Sequence, residues 1–153
     1  MSPRPRLRRA GPADLETLAA LESRCFGRRD GGFSRAQLRR LLGNSRAYWL
    51  MTPDGVAAAC WLVAQNGRAR WARLYSLAVD PGARGRGLAR ALVAAGFAWM
   101  RGQRLAHCRA EVRAGNRAAR TLYARMGFSE VETLRDYYAP GVHGIRLQWP
   151  GRE

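Results

Sequence analysis

Hydrophobic residues near the start of the chain recur at intervals of three and four, which is typical of helices. The first run predicts a helix that begins at Pro12 or Asp14, and its apolar positions are Leu15, Leu18, Ala19, Leu21 and Cys25. Ser34 is a good N-cap residue and precedes a second predicted helix, whose apolar positions are Leu38, Leu41 and Leu42. We also expect a short edge strand over residues 5–10 and a loop over residues 27–32.

The pattern then changes to that of strands and turns. We expect three strands over residues 46–51, 56–64 and 69–79. Turn-forming residues separate these strands at 52–55 and 65–67, and the short second turn favours a hairpin. The first half of the chain is therefore predicted to contain two helices followed by a three-stranded antiparallel meander.

In the second half of the chain, predicted strands alternate with predicted helices. We expect helices over residues 87–101 and 116–126, and strands over residues 105–113, 128–133 and 145–149. A strand followed by a helix and another strand favours a parallel crossover connection. Residues 1–153 are thus predicted to form a single α/β domain, in which helices flank a mixed central β-sheet.

The charged residues exclude some kinds of binding and catalytic site and indicate others. The chain has 27 basic residues, all of them arginines, against 11 acidic residues, and its formal net charge is +16. Without lysine there is neither a Walker A phosphate loop nor a Schiff-base lysine, and guanidinium groups stay protonated near neutral pH. The positive excess is either compositional, or it attracts a polyphosphate ligand or an anionic partner such as RNA or the ribosome.

Metal chemistry and membrane insertion are not indicated by the sequence. The three cysteines, Cys25, Cys60 and Cys108, are widely spaced and form no CxxC motif, so we expect neither a disulfide framework nor structural zinc. No segment approaches the about 20 apolar residues of a membrane span. No apolar segment follows the arginines of the N-terminus, and we therefore expect a cytoplasmic protein that does not bind membranes.

The most informative segment is a loop of glycines and arginines between a predicted strand and a predicted helix. Gly85 and Gly87 allow a ligand to approach the backbone closely, and the helix that follows offers unpaired amide groups. Arg84, Arg86 and Arg90 add positive charge. Together these features indicate a pyrophosphate site. The alternatives are a Rossmann turn, which would need glycine at position 90, an RNA-binding arginine–glycine segment and a plain strand–helix turn.

The same loop carries a family resemblance. Arg84-Gly85-Arg86-Gly87-Leu88-Ala89 resembles the R/Q-x-x-G-x-G/A signature of the GNAT acyl-CoA N-acyltransferases. A second segment resembles that family at its usual spacing, and it contains Ala110-Glu111-Val112-Arg113, Asn116, Ala119, Leu122-Tyr123 and Gly127-Phe128. Within the family, the chain is most similar to the ribosomal-protein-alanine acetyltransferase group. The resemblance implies a GNAT fold and the use of acetyl-CoA as co-substrate, without a metal.

The resemblance also implies a role for each matching position. The backbone of Leu77, Ala78 and Val79 would pair with the pantetheine arm of acetyl-CoA, which Asn116 would also contact. The loop that would hold the pyrophosphate comprises Arg84, Gly85, Arg86, Gly87, Leu88, Ala89 and Arg90. Glu111 would accept a proton from the attacking amine, and Tyr123 would protonate the departing thiolate.

General chemistry agrees with these roles. Transfer from a thioester needs a neutral amine and an acid for the thiolate. Asn116 and Tyr123 are seven residues apart, which is nearly two helical turns, so they share one face of the predicted helix. Taken singly, each residue also has a plainer interpretation: Tyr123 as core packing, Glu111 as an ion-pair partner and Asn116 as a helix cap.

The expected acceptor is a protein N-terminal α-amine. At pH 7 about a tenth of such amines are neutral, a fraction several-hundredfold larger than for lysine, so a modest base suffices. The acids expected near the acceptor are Glu22, Asp30 and Asp136. The alternatives are a lysine or small-molecule amine as acceptor, or a non-catalytic acyl-CoA-binding or RNA-associated module.

The region after Tyr137-Tyr138 departs from the resembling group. That group also carries the tyrosine pair, but here the following loop looks short and His143 replaces an expected acid. The two tyrosines either line the acceptor cleft or form a plain edge strand.

Overall fold

The computed structural model describes residues 4–26 and 32–152, which form four helices around one seven-stranded sheet. The helices are α1 (Leu15–Cys25), α2 (Arg35–Leu42), α3 (Leu88–Gly102) and α4 (Arg117–Arg125). The strands are β1 (Arg8–Arg9), β2 (Ala47–Met51), β3 (Ala57–Asn66), β4 (Ala69–Val79), β5 (Cys108–Arg113), β6 (Ser129–Ala139) and β7 (Val142–Trp149). Asp30 and most of the predicted 27–32 loop lie outside the described residues. No helix of the described part is long and apolar enough to cross a bilayer.

The strand order confirms the predicted mixed sheet and corrects one connection. The order is β1-β2-β3-β4-β5-β7-β6, and the β4–β5 pair is parallel while all the others are antiparallel. The first parallel crossover is therefore confirmed. The second is wrong as a pairing, because β7 lies between β5 and β6 and pairs with both.

The lengths of β6 and β7 explain that error. The sequence predicted strands over residues 128–133 and 145–149, whereas β6 and β7 form a long hairpin with a tight turn at Pro140 and Gly141. Strand β6 lies at the edge of the sheet, and its residues are mostly exposed on both faces. It therefore has no alternating apolar pattern from which its length could be predicted.

Two hydrophobic clusters hold the helices against the sheet. On one face α3 and α4 pack against the central strands, and the shared core includes Leu92, Val93 and Trp61. On the other face α1 and α2 pack against the first half of the sheet through Leu18 and Leu38. Ser34 caps α2 as predicted, since its side chain accepts a hydrogen bond from the amide of Gln37.

A β-bulge in β4 interrupts the strand at Tyr75. Residues Cys60 and Trp61 of β3 are adjacent but lie opposite Ser76 and Leu74, so Tyr75 is the extra residue. In a regular strand, the side chains of Leu74 and Ser76 would lie on the same face of the sheet. Because of the extra residue, Leu77 instead of Ser76 packs with Leu74 in the hydrophobic cluster that includes α3. The bulge lies where β4 separates from β5.

Candidate active site

Strands β4 and β5 diverge after a short parallel ladder. They pair only between residues 72–74 and 108–110, while both strands continue for several residues beyond. The fork opens into a cavity of about 890 Å³, which is lined by residues of α1, β4, β5, α4 and β6. A wide cavity at a fork of strands is a suitable place for an elongated ligand.

The phosphate-binding candidate lies at the start of α3. Gly85 and Gly87 have positive φ values of 83° and 74°, which L-residues with a side chain rarely adopt. The helical ladder begins with the amide of Ala91, which donates to the Gly87 carbonyl at 3.0 Å. The amides of Leu88, Ala89 and Arg90 therefore precede the ladder and are available to an anion.

A second hollow of about 620 Å³ lies over this loop and is bounded by α4. Arginines from both elements line it: Arg84 and Arg90 from the loop and α3, and Arg117 and Arg125 from α4. The two hollows share lining residues, including Arg84 and Ala89, so they adjoin each other. The arginine-lined hollow suits a phosphorylated group.

Most of the predicted cofactor residues line one of the two hollows, but two of them do not. Those that line one or both hollows are Leu77, Val79, Arg84, Gly85, Gly87, Leu88, Ala89, Arg90 and Asn116. Ala78 and Arg86 line neither: Ala78 is 3% exposed and packs in the cluster beneath α1, while the side chain of Arg86 is exposed.

The backbone of β4 explains why neighbouring residues differ. The amide of Asp80 donates to the Val56 carbonyl at 2.7 Å. Because hydrogen-bonded pairs alternate along an antiparallel ladder, the backbone of Ala78 also faces β3. The backbone groups of Leu77 and Val79 then face the fork, where they are free of the β3 ladder.

Tyr123 lies in the cavity wall on α4. Its side chain is 5% exposed and contacts the ring of Phe128 edge-on, with 5.1 Å between the centroids. Burial raises the pKa of this phenol, and the nearby Cys108, Tyr138 and Glu111 raise it further. The phenol is therefore neutral in ordinary buffers. Asn116 begins the same helix and accepts a hydrogen bond from the Ala119 amide at 3.1 Å, so it caps α4 and also lines the cavity.

Glu111 projects from β5 into a row of alternating charges. Its carboxylate accepts a hydrogen bond from Arg73 Nη2 at 3.3 Å and lies 3.7 Å from Arg146 Nε. Arg146 in turn donates to Glu132 at 2.6 Å, so the row crosses β4, β5, β7 and β6. Glu111 lines the cavity, and the guanidinium groups on both sides restrict its position.

Aromatic residues form the other end of the cavity. Tyr137 and Tyr138 contact each other edge-on at 5.0 Å, and both line the cavity. Burial raises the pKa of Tyr138 to about 12. Tyr137 Oη lies 3.4 Å from Arg73 Nη2, and this guanidinium is stacked over the ring of Tyr75. The two tyrosines thus lie on the cavity wall, and both belong to β6, the strand at the edge of the sheet.

The region after the tyrosine pair is held by local hydrogen bonds. The amide of Asp136 donates to His143 Nδ1 at 3.0 Å, and the amide of Gly141 donates to Asp136 Oδ1 at 2.7 Å. The expected short loop is the turn of the β6–β7 hairpin, and His143 is a residue of β7. His143 does not line either hollow.

Of the three acids expected near the acceptor, Glu22 lines the cavity, Asp136 does not, and Asp30 lies outside the described residues. The spacing of Glu22, four residues after Leu18, agrees with its inward position. Other cavity residues were missed by sequence reasoning. Arg73, Arg117 and Arg125 gave no local signal among 27 arginines. In the described part of the chain, no group of three or more His, Cys, Asp or Glu side chains could hold a metal ion.

The fold is one that solved N-acetyltransferases share. Residues 15–128 match the sequence profile of the acetyltransferase (GNAT) family. The chain belongs to this family.

The curated proteins that the chain matches include mycothiol acetyltransferases. The chain is 33% identical to a mycothiol acetyltransferase of Beutenbergia cavernae over 146 residues, which are 88% of this chain and 48% of that protein. It is 41% identical to the mycothiol acetyltransferase of Kineococcus radiotolerans over 85 residues, which are 56% of this chain and 27% of that protein. The chain therefore spans about half the length of these curated relatives or less.

Solved structures share the whole fold. The ribosomal-protein-S18-alanine N-acetyltransferase of Escherichia coli is 25% identical, with a TM-score of 0.76 and coverage of 94% of this chain and 91% of that one. Arabidopsis thaliana NAA60, solved with a bisubstrate analogue, is 18% identical, with a TM-score of 0.81 and coverage of 96% and 98%. At that identity the second likeness concerns the fold alone.

Proposed function

We propose that this protein transfers an acetyl group from acetyl-CoA to a primary amine within a ternary complex. The observation that carries the proposal is the pair of adjoining hollows, one at the glycine–arginine loop and one lined by Tyr123 and Glu111. A thioester carrier that occupied both hollows would have its phosphates at the arginine-lined one and its acyl group near the two candidate catalytic side chains.

The phosphate end of the carrier would be bound by backbone and arginine groups together. Amides of Leu88, Ala89 and Arg90 point out of the first turn of α3. The guanidinium groups of Arg84 and Arg90, with those of the two α4 arginines, would neutralise the phosphates. Backbone groups of Leu77 and Val79 at the fork would pair with the amides of the pantetheine arm, as an added strand does.

The chain's own side chains would then move two protons. As the amine nitrogen bonds to the acyl carbon and the carbon–sulfur bond breaks, Glu111 would accept the proton released from nitrogen. Tyr123 would give its phenolic proton to the departing thiolate. Burial raises the pKa of Tyr123, so its proton is present over the whole useful pH range. Arg73 and Arg146 would keep Glu111 in place.

We infer that the acceptor is the α-amine of a protein N-terminus, in the cytoplasm. The resemblance to N-terminal acetyltransferases extends over the full fold. The aromatic end of the cavity, formed by Tyr75, Tyr137 and Tyr138, faces solvent, because the side chains of Tyr75 and Tyr137 are exposed. The net charge of +16 would also draw the protein to anionic surroundings such as RNA or the ribosome.

A small-molecule amine is the second candidate, because relatives with 33% and 41% identity are named mycothiol acetyltransferases. The two candidates are separated by one assay. Thiol release from acetyl-CoA is measured with a panel of N-terminal peptides and, in parallel, with desacetylmycothiol. Turnover with peptides supports the first candidate, and turnover with the small molecule alone supports the second. Tight CoA binding without any turnover would instead indicate a non-catalytic acyl-CoA-binding module.

A further inference from the structure

Glu22 is a buried carboxylate in the wall of the acceptor cavity. It lies on α1, is 5% exposed and lines the cavity together with the fork residues of β4. Its Oε1 accepts a hydrogen bond from Ser76 Oγ at 2.9 Å, and its Oε2 accepts one from the Phe33 amide at 3.2 Å. Both donors are neutral groups.

Among the described residues, the lack of a cationic partner distinguishes Glu22 from most other carboxylates. Arginine partners are present, for example, at Asp14, Asp80 and Glu130. Within residues 4–26 and 32–152, Glu22 makes no ion pair. Buried carboxylates are almost always paired with a cation, because desolvation of an unpaired charge is costly.

With respect to the described residues, the carboxylate also has unused acceptor capacity. An ionised carboxylate offers about four lone-pair positions, and the two hydrogen bonds at Glu22 use two of them. The charge of Glu22 acts on the thiols of Cys25 on α1 and Cys60 on β3, which bring no positive charge. Burial raises the pKa of Glu22, while its two hydrogen bonds oppose this effect.

We propose that Glu22 binds the acceptor amine in its protonated form, so that the enzyme selects acceptors that enter the cavity as ammonium ions. The inference rests on the proposed acetyltransferase function. An α-amine with a pKa of about 8 is mostly protonated at pH 7, and a site that receives it must first accommodate a positive charge. Glu22 provides that charge partner from the α1 wall. The bound ammonium loses one proton to solvent to give the neutral amine that attacks, and Glu111 on β5 is then left to accept the second proton as the carbon–nitrogen bond forms.

A purely structural role for Glu22 makes a different prediction. The same two hydrogen bonds connect α1 to β4 and to the segment that begins α2. If that connection were the whole role, replacing the carboxylate would lower thermal stability. Binding of an amine and binding of an equally sized uncharged molecule would then change by the same factor.

The test uses peptides with N-terminal Ala, Ser or Met, each paired with a desamino analogue that lacks the α-amine. Equilibrium binding of each is measured on CoA-saturated protein for the wild type, Glu22→Gln and the control Ser76→Ala. Ser76→Ala removes one hydrogen bond to Glu22 but keeps its charge. We expect Glu22→Gln to weaken binding of the amines by about 10-fold to 100-fold, the range of a hydrogen bond to a charged group. Binding of the desamino analogues should not change, and Ser76→Ala should retain the preference for amines.

The outcomes separate this inference from the proposed function. Equal affinity of the wild type for amines and desamino analogues overturns the inference, even if Glu22→Gln does not fold. A preference for amines that persists in folded Glu22→Gln also overturns it. Thiol release from acetyl-CoA, measured on the wild type, reports on the proposed function alone. A protein that prefers amines through Glu22 but releases no thiol would support the inference and refute the catalytic proposal.

Discussion

Gly96 lies in the middle of α3, buried against the indole ring of Trp61. A Cβ added to this residue would lie nearer to the ring than the 3.0 Å below which real Cβ contacts essentially never occur. Trp61 is 1% exposed, and its ring contacts Tyr48, which is itself stacked on Trp99 of α3. The ring therefore has little room to move, and α3 must shift away from the sheet instead.

The size of the effect follows from two opposing contributions. Overpacking a buried site costs about 1–3 kcal/mol, and the contact here favours the upper end of that range. Alanine has a helix propensity about 1 kcal/mol better than that of glycine. We expect Gly96→Ala to lower the free energy of unfolding by about 2 kcal/mol, which corresponds to a Tm lower by about 4–8 °C for a domain of this size.

Gly102 provides the matched control at the end of the same helix. A Cβ there meets no described atom within 4 Å, so Gly102→Ala should leave Tm unchanged or raise it slightly. Both variants are compared by thermal unfolding, and CoA affinity is measured on each, because a shift of α3 also displaces the loop at its N-terminus. A Tm of Gly96→Ala equal to or above that of Gly102→Ala would refute the reasoning.

Four further predictions concern the site. Tyr123→Phe should lower kcat by about 10²- to 10⁴-fold, the usual contribution of a general acid, and leave the Kd for CoA unchanged; undiminished turnover would remove Tyr123 from its role. Because burial raises the pKa of this phenol, the wild type should show no loss of activity from its ionisation up to about pH 10. Gly87→Ala and the control Gly67→Ala both place alanine at a positive φ, 74° and 61°, and each should lower the free energy of unfolding by about 1–2 kcal/mol. Calorimetry should find weaker CoA binding only for Gly87→Ala. Equal CoA affinities of the two variants would contradict the proposed phosphate site at this loop. Joint replacement of Arg117 and Arg125 by glutamine should weaken CoA binding about 10-fold and reduce its salt dependence, whereas an unaltered Kd at low and high salt would exclude α4 from the phosphate site.

Local sequence patterns were sufficient to predict the amphipathic helices. The spacing of Leu15, Leu18 and Leu21 predicted α1, and Ser34 marked the start of α2, since each signal depends only on neighbours along the chain. The glycine–arginine loop was also predictable, because its glycines and the following helix are consecutive in sequence. The long β6–β7 hairpin was not, because an edge strand exposed on both faces carries no apolar alternation.

The sequence alone determined the type of domain, the position of the glycine–arginine loop and the identity of Glu111 and Tyr123 as the side chains to examine. Only the tertiary structure decided which distant groups join them. The bulge at Tyr75 and the divergence of β4 from β5 bring Glu22 of α1 and Arg73 of β4 into one cavity with them. The reason is physical: a short-range pattern records which face of an element is apolar, but the charge partners and the shape of a cavity depend on how separate elements pack together.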